Sequence, residues 1–264
     1  MACEHIKITE ERGVLSVVLD RPEKLNALAG QMRRGLAEAL EAAAADNAVR
    51  VIVIRGAGSA FCAGGDVERM AELMDDKNAD EFARLLGAGR RVVTAIREMA
   101  KPVIASMSGV ASGAGLNLAL ACDIRIAAQS ARFSQSFVRI GLHPDWGGTY
   151  FLPQIVPPNI ACEMFFLGDY IDAERAYNLG LVNRVVADSE LESETRALAE
   201  RLRDAPAATI AAAKHAVYMT GAGANLSHML QYETEAQLRC FASQDAREGV
   251  RAFREKRQPR FAGR

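Results

Sequence analysis

The sequence predicts an α/β fold in which short strands alternate with helices up to about residue 152, after which helices dominate. Three observations carry this expectation. Continuous apolar runs bounded by turn residues occur at 49–54 and 103–107, long enough for buried strands and too short for helices. Stretches with apolar residues every three or four positions separate them, and beyond residue 152 the spacing is almost wholly helical. At 264 residues, 50% of them hydrophobic, the chain can bury a large core as one domain, or as one domain with a helical appendage.

Taken in order, 6–9 and 14–19 are β-prone runs joined by Glu10-Glu11-Arg12-Gly13, which suits a hairpin. Pro22 ends the second run because it cannot donate to a ladder. Leu28, Met32, Leu36 and Leu40 recur every four residues and predict an amphipathic helix over 28–45. The strand at 49–54 runs into the glycine-rich 56–58. Phe82, Leu85, Leu86, Val92, Val93, Ile96 and Met99 mark a second long helix, stopped by Lys101-Pro102. Residues 103–107 predict a buried strand and 113–121 a helix apolar on every side, which belongs in a core. Further short strands are expected at 124–127 and around Phe133. Helices are expected over 160–167, 173–179, 191–202, 206–219, 226–241 and 244–253, with one strand at 182–186.

Composition narrows the function classes. A net charge of −1 gives no electrostatic basis for binding nucleic acid or an acidic membrane surface. No run of about 18 apolar residues is present, and the first residues lack the basic-then-apolar order of a secretory signal, so the expectation is a cytoplasmic enzyme. Cys3, Cys62, Cys122, Cys162 and Cys240 are odd in number and lack C-x-x-C spacing. They read as reduced thiols rather than a metal site.

The chemistry concentrates in three turns. Phe61-Cys62-Ala63-Gly64-Gly65-Asp66 and the stretch from Ser108 to Gly115 each follow a strand, and glycine there lets the backbone approach a ligand while helix starts present unpaired N–H groups. Two such groups converging make an oxyanion hole. Neither turn gives G-x-G-x-x-G with an acidic residue about 20 positions on, which argues against a dinucleotide site. The third turn, Gly141 to Gly148, carries one carboxylate, Asp145. Donors for an oxyanion beside a carboxylate are the equipment for stabilising an enolate. Each feature alone also has a plain reading: a tight turn for the glycines, a helix N-cap for Asp145.

Together, Arg21-Pro22-Glu23-Lys24-Leu25-Asn26-Ala27-Leu28, Ala60 to Asp66, Lys101-Pro102 through Asp123, the Gly141 to Gly148 turn and the 173–182 region make nearly the whole chain resemble the crotonase, or enoyl-CoA hydratase/isomerase, superfamily. The Pro-Asp-Trp-Gly-Gly turn is similar to that of isomerase-like relatives. The resemblance implies a crotonase-like (ClpP/crotonase) spiral of β-β-α repeats with a C-terminal helical layer. Residues 1–200 would form the acyl-CoA-binding core, and 201–264 a helical region for oligomerisation and active-site cover. It further implies homotrimers or dimers of trimers, and no cofactor or metal, coenzyme A being part of the substrate.

Carried over by position, the resemblance implies oxyanion donors at the Ala63 and Ala114 N–H groups, with Gly113 as an alternative to the second. It implies CoA contacts at Lys24, Leu25, Ala27, Ala60, Gly65 and Asp66, and at Lys256 reaching across a trimer. A solvated lysine is the competing reading for Lys24, and a solvated charge run for the 254–257 tail. Phe137, Trp146, Met70 and Phe82 are expected around the acyl group. Glu68 and Glu163 read as solvent-facing charges, and His143 as a packing residue.

Family hydratases carry two glutamates at positions that here hold Asn117 and Phe137. Hydration needs one group to activate water and another to protonate carbon; phenylalanine does neither, whereas Asn117 can hold a water or a carbonyl. Asp145 is the expected catalytic carboxylate and Asn117 the second expected catalytic residue. A single base shuttling one proton fits isomerisation of an enoyl-CoA double bond. A hydratase working through Asp145 and a water on Asn117, attack of an aspartate on a halogenated aromatic thioester, and a non-catalytic acyl-CoA binder or assembly subunit remain the alternatives.

Overall fold

A computed structural model describes residues 4–263. Strands β1 (Ile6–Glu11) and β2 (Val14–Leu19) form the expected hairpin, closed by Arg12 and Gly13 at φ 51° and 83°. Two successive left-handed residues give the turn the twist a two-residue hairpin needs. Then follow α1 (Met32–Ala45), β3 (Val51–Gly56), α2 (Val67–Asp75), α3 (Ala79–Glu98), β4 (Val103–Met107), β5 (Val110–Ser112) and α4 (Ala114–Ala121). Next come β6 (Ile124–Ala128), β7 (Arg132–Ser134), α5 (Gly148–Ile155), α6 (Pro158–Leu167), β8 (Ile171–Asp172), α7 (Ala173–Asn178) and β9 (Arg184–Val186). Helices α8 (Leu191–Arg203), α9 (Ala207–Gly221), α10 (Leu226–Ala242) and α11 (Gln244–Arg254) complete the chain.

The strands make two sheets. One has six strands in the order β1-β2-β3-β4-β6-β9, parallel except for the β1/β2 hairpin; the other has three, β5-β7-β8. Alternate residues of the large sheet face opposite ways. Ile52 and Ile54 enter the main core with Leu36, Leu40, Val92, Ile96 and the wholly buried α4, whereas Val51, Val53, Ile104 and Ile126 pack under Leu198 and Ala199 of α8. Successive strand–strand–helix passes are visible where β4 enters the large sheet, β5 the small one, and α4 packs between.

Several boundaries differ from the sequence expectation: β1 runs on to Glu11, and the strand expected at 182–186 is only Arg184–Val186. Helix α1 starts at Met32 rather than residue 28, because Leu25 and Asn26 are left-handed (φ 50° and 57°) and Leu28 pairs with Gly65 as an isolated parallel bridge. Strand β3 starts at Val51, since the Val49 N–H closes a turn onto Asp46 O. Residues 110–112, expected as part of a glycine turn, form β5, and α2, α5 and β8 are further elements the apolar spacing did not mark.

The C-terminal layer docks on its own chain through α9. Lys214 Nζ donates to Ile96 O, Lys101 O and Asp123 Oδ2, each at 2.8 Å, and the Tyr218 hydroxyl donates to Asp123. Arg97 lies over the Tyr218 ring at 3.2 Å. Beyond α9 apolar side chains face outward, with Phe241 77% and Phe253 85% exposed. Among the described residues no helix is long and apolar enough to cross a membrane. Cys62 and Cys122 are buried, Cys240 is half-buried and Cys162 is exposed, while Cys3 lies outside the described residues.

Candidate active site

The first two turns lie side by side at the C-terminal ends of β3 and β4. Cys62 N donates to Val110 O and Ser112 N to Cys62 O, both at 2.9 Å, stitching 61–66 to β5. Closeness demands glycine: a methyl group on Gly64 (φ 100°) would stand 2.8 Å from Ser112 O, and one on Gly115 would stand 2.2 Å from Cys62 O. Gly113 adopts φ 52° and spends its N–H on Ser134 O at 2.9 Å. Ala114, the first residue of α4, keeps a negative φ, and its N–H has no acceptor among the described residues. Helix starts leave such donors unpaired by construction. The Ala63 N–H, by contrast, is engaged, donating to Leu25 O at 2.9 Å.

Asp145 does not cap the helix after it. Gly147, at φ 79°, is the N-cap of α5 and no side chain caps that end. Trp146 is also left-handed (φ 49°), an uncommon conformation for a bulky residue, and its indole lies against Gly89 of α3. The Asp145 carbonyl accepts from Gly148 N at 3.0 Å and from Asn117 Nδ2 at 2.8 Å. Asn117 Oδ1 in turn accepts from Gln135 Nε2 at 2.8 Å. A relay from Gln135 through Asn117 thus holds the aspartate's main chain to α4, and the carboxylate keeps one oxygen, Oδ1, buried without a partner. Burial raises the Asp145 pKa to about 6, against the opposing pull of Arg33 and His143.

The expected CoA and acyl residues divide into groups. Lys24 is exposed and pairs with Glu68 at 2.8 Å, so neither is a free charge. Leu25 is 42% exposed, Ala27 half-buried and Ala60 buried, with Ala60 O accepting from Asn26 Nδ2 at 2.7 Å. The Asp66 carboxylate is fully employed, accepting from Glu68 N and Arg69 N as the N-cap of α2 and from Arg21 Nη1 at 2.6 Å. Burial alone would raise its pKa, but Arg21 and the two amides outweigh this and hold it below the usual value. Met70 reaches over Gly65, Phe137 lies buried 3.6 Å from the methyl position of Gly113, and Phe82 is half-buried in α3.

Lys256 does not join these residues within one protomer. It follows α11, and the tail beyond it packs beside Arg12, Gly13 and Arg203, near the N-terminal ends of β2 and β3. The 61–66 turn lies beyond the opposite end of β3, a strand length of about 20 Å away. The neighbouring Arg257 is committed to Glu248 and Glu255, both at 2.6 Å. Glu163 and His143 are exposed, the latter with Nδ1 against Pro144 O.

Comparison with known proteins decides the family. Residues 9–264 match the family model described as Enoyl-CoA hydratase/isomerase. The chain belongs to the enoyl-CoA hydratase/isomerase family. It is 41% identical over the full length of both chains to a Rhodobacter capsulatus protein named "Probable enoyl-CoA hydratase", and 36% identical to the 1,2-epoxyphenylacetyl-CoA isomerase of Escherichia coli K12, covering 96% of each. The crystal structure of an enoyl-CoA hydratase from Polaromonas sp. JS666 superposes with a TM-score of 0.92 at 35% identity, covering 97% of this chain and 99% of that one. The fold is therefore the crotonase fold.

Four residues that organise the site in this family member were not singled out from sequence. Asn26 is fully buried, donating to Ala57 O and Ala60 O and accepting from Arg21 N, so it ties the loop at 21–28 to the 56–60 turn. Arg21 closes that loop on Asp66. Gln135 begins the Asn117 relay. Arg33 is buried on α1. One signal was available for Arg33: it falls three and four residues before Leu36 and Ala37, on the apolar stripe, where a cation is out of place. Gln135 and Asn26 gave no periodic signal, because both sit in irregular segments.

Proposed function

We propose that the protein is an enoyl-CoA double-bond isomerase in which Asp145 carries one proton between two carbons of the substrate. The observation that carries this reading is the buried, unpartnered Asp145 Oδ1, on a carboxyl whose pKa of about 6 suits a base near neutrality. The absence of carboxylates at positions 117 and 137 supports isomerisation over hydration, since water addition has no second acid–base group there. Asn117 spends its amide on Asp145 O and on Gln135, so it acts as a positioning residue.

In this mechanism the thioester oxygen of an acyl-CoA accepts from the Ala114 N–H. Ala63 supplies the second donor by exchanging Leu25 O for the substrate oxygen. Asp145 takes a proton from the γ-carbon of a 2-enoyl thioester, the electron pair delocalises into a dienolate, and the same proton returns at the α-carbon to give the 3-enoyl product. The oxyanion donors act on charge that grows in the transition state, where one donor is worth about a hundredfold or more. Lys24, Leu25, Ala27, Ala60 and Gly65 hold the CoA moiety. Asp66, its carboxylate consumed by Arg21 and two amides, fixes the shape of this loop rather than meeting CoA through its charge. Phe137, Trp146, Met70 and Phe82 surround the acyl group and keep water from the dienolate. Outward apolar residues on α10 and α11 support assembly into trimers, which would bring Lys256 of one subunit towards the site of another.

Incubation with matched 2-enoyl-CoA and 3-enoyl-CoA in ¹⁸O-water tests the reading. Interconversion without label, lost in Asp145→Asn, is expected. A labelled 3-hydroxyacyl product would make the protein a hydratase, and CoA binding without turnover across several acyl chains would make it a binder.

A further inference from the structure

The proposed proton shuttle leaves Arg33 unused. Its side chain belongs to a residue only 7% exposed and makes no hydrogen bond or salt bridge with any described residue. A methyl group on Gly65 would stand 3.2 Å from Arg33 Nη2 and 2.1 Å from Met70 Cε, so guanidinium and thioether converge over one glycine, two residues past Ala63. Asp145, Cys62 and Asp66 lie within its electrostatic reach. None neutralises it by contact. Asp66 is committed to Arg21 and the α2 amides. The buried Cys62 holds its proton, its pKa pushed up to about 12, and donates to Asn26 O. Asp145 makes no ion pair with it and keeps its own oxygen unpartnered.

A guanidinium keeps its charge at any ordinary pH, and burying one without an acceptor is costly. Its nitrogens keep a little accessible surface, so water reaches them in the free protein, and an acceptor carried by a bound molecule would take that water's place. Under the enoyl-CoA reading, on which this inference rests, the CoA moiety runs from the exposed loop at Lys24 and Leu25 to Gly65, whereas Arg33 lies on the Met70 side of Gly65 and within electrostatic reach of Asp145, towards the acyl end. We propose that Arg33 receives a carboxylate carried by the acyl group, so that the preferred substrate is the mono-CoA thioester of an unsaturated dicarboxylic acid. The planar guanidinium fork suits a carboxylate, which it can hold through two parallel N–H donors. Its charge also shields the incoming carboxylate from Asp145.

The test pairs a 2-enoyl-CoA ending in a carboxylate with a methyl-ended one of equal length, in wild type, Arg33→Met and Arg33→Lys. Wild type is expected to favour the carboxylate by tenfold or more in kcat/KM. Arg33→Met should lose about a hundredfold on the carboxylate substrate and at least tenfold less on the methyl-ended one, each compared at its own pH optimum because the Arg33 charge also lowers the Asp145 pKa, and Arg33→Lys should recover part of the carboxylate-specific loss. Equal losses on both substrates, or a wild-type preference for the methyl-ended chain, would overturn the proposal. Calorimetric binding of the two saturated, unreactive thioesters and of CoA itself separates this proposal from the isomerase reading. If neither enoyl substrate turns over, a carboxylate preference in binding that Arg33→Met abolishes still supports the subsite, and its absence refutes it. Weaker binding of CoA alone in Arg33→Met would place Arg33 on the CoA moiety instead.

Discussion

Replacing Asp145 by asparagine should cripple activity and stabilise the protein by an amount that grows as pH rises from about 4 to about 6 and then levels off. Burial moves this carboxyl from its ordinary 3.8 to about 6. At about 1.4 kcal/mol per pH unit, the folded state resists ionisation by about 3 kcal/mol, an upper value because the site can relax or admit water. The folded pKa is the higher one, so the folded state binds the proton more tightly. The corresponding stability is fully present below the unfolded pKa and is lost as pH rises through about 6. Asparagine keeps a similar shape and never ionises. Asp145→Asn should therefore match wild type near pH 4 and exceed it by about 1–3 kcal/mol at pH 8. For a chain of this size each kcal/mol moves Tm by about 2–4 °C, so scanning calorimetry at several pH values resolves the difference. Loss of the proton shuttle should lower kcat by about 10²–10⁴. A Tm difference independent of pH, or a variant less stable than wild type at pH 8, would refute the claim that the carboxylate is buried and unsatisfied.

The other predictions concern how the site is held. Asn117→Leu leaves Gln135 Nε2 unpaired and takes the side-chain donor from Asp145 O, which keeps only the Gly148 N–H; this should cost about 1–3 kcal/mol in urea unfolding and lower kcat by displacing the carboxylate. Gly64→Ala combines φ 100° with a 2.8 Å approach to Ser112 O; it should cost about 1–3 kcal/mol, with the larger effect on kcat rather than KM. Asp123→Asn removes the charge facing buried Lys214, so α9 should loosen at a cost of about 3–5 kcal/mol, read as faster proteolytic cleavage between α8 and α9.

Much of the architecture was legible because apolar spacing reports burial. The runs at 103–107 and 124–127 are strands to within a residue, and the helix apolar on every side, 113–121, is α4 at the centre of the core. Reading failed where backbone conformation rather than side-chain polarity sets the structure. Residues 28–31 carry a helical spacing, yet the left-handed pair Leu25 and Asn26 and the Leu28–Gly65 bridge hold them out of α1. The strand β5 is three residues long and hidden among glycines, too short for any period to mark.

At the site, residue identities alone pointed to close backbone approach at 61–66 and at the glycines of 108–115, though 110–112 proved to be a strand; they also established that Asp145 is the carboxylate of the third turn and that positions 117 and 137 hold no second one. Motif order along the chain placed it in its family, because those motifs are local. Only the tertiary structure decided which groups are spent and which are free. It showed Gly113 and Ala63 with their N–H groups engaged and Ala114 without a partner. It showed Asp66 satisfied by Arg21 and two amides, and Asp145 with its Oδ1 buried and unpartnered. It buried Arg33 beside Gly65, 32 positions away in sequence, with no partner of its own. Hydrogen-bond satisfaction and desolvation depend on contacts between distant segments, and no local pattern of residue types encodes them.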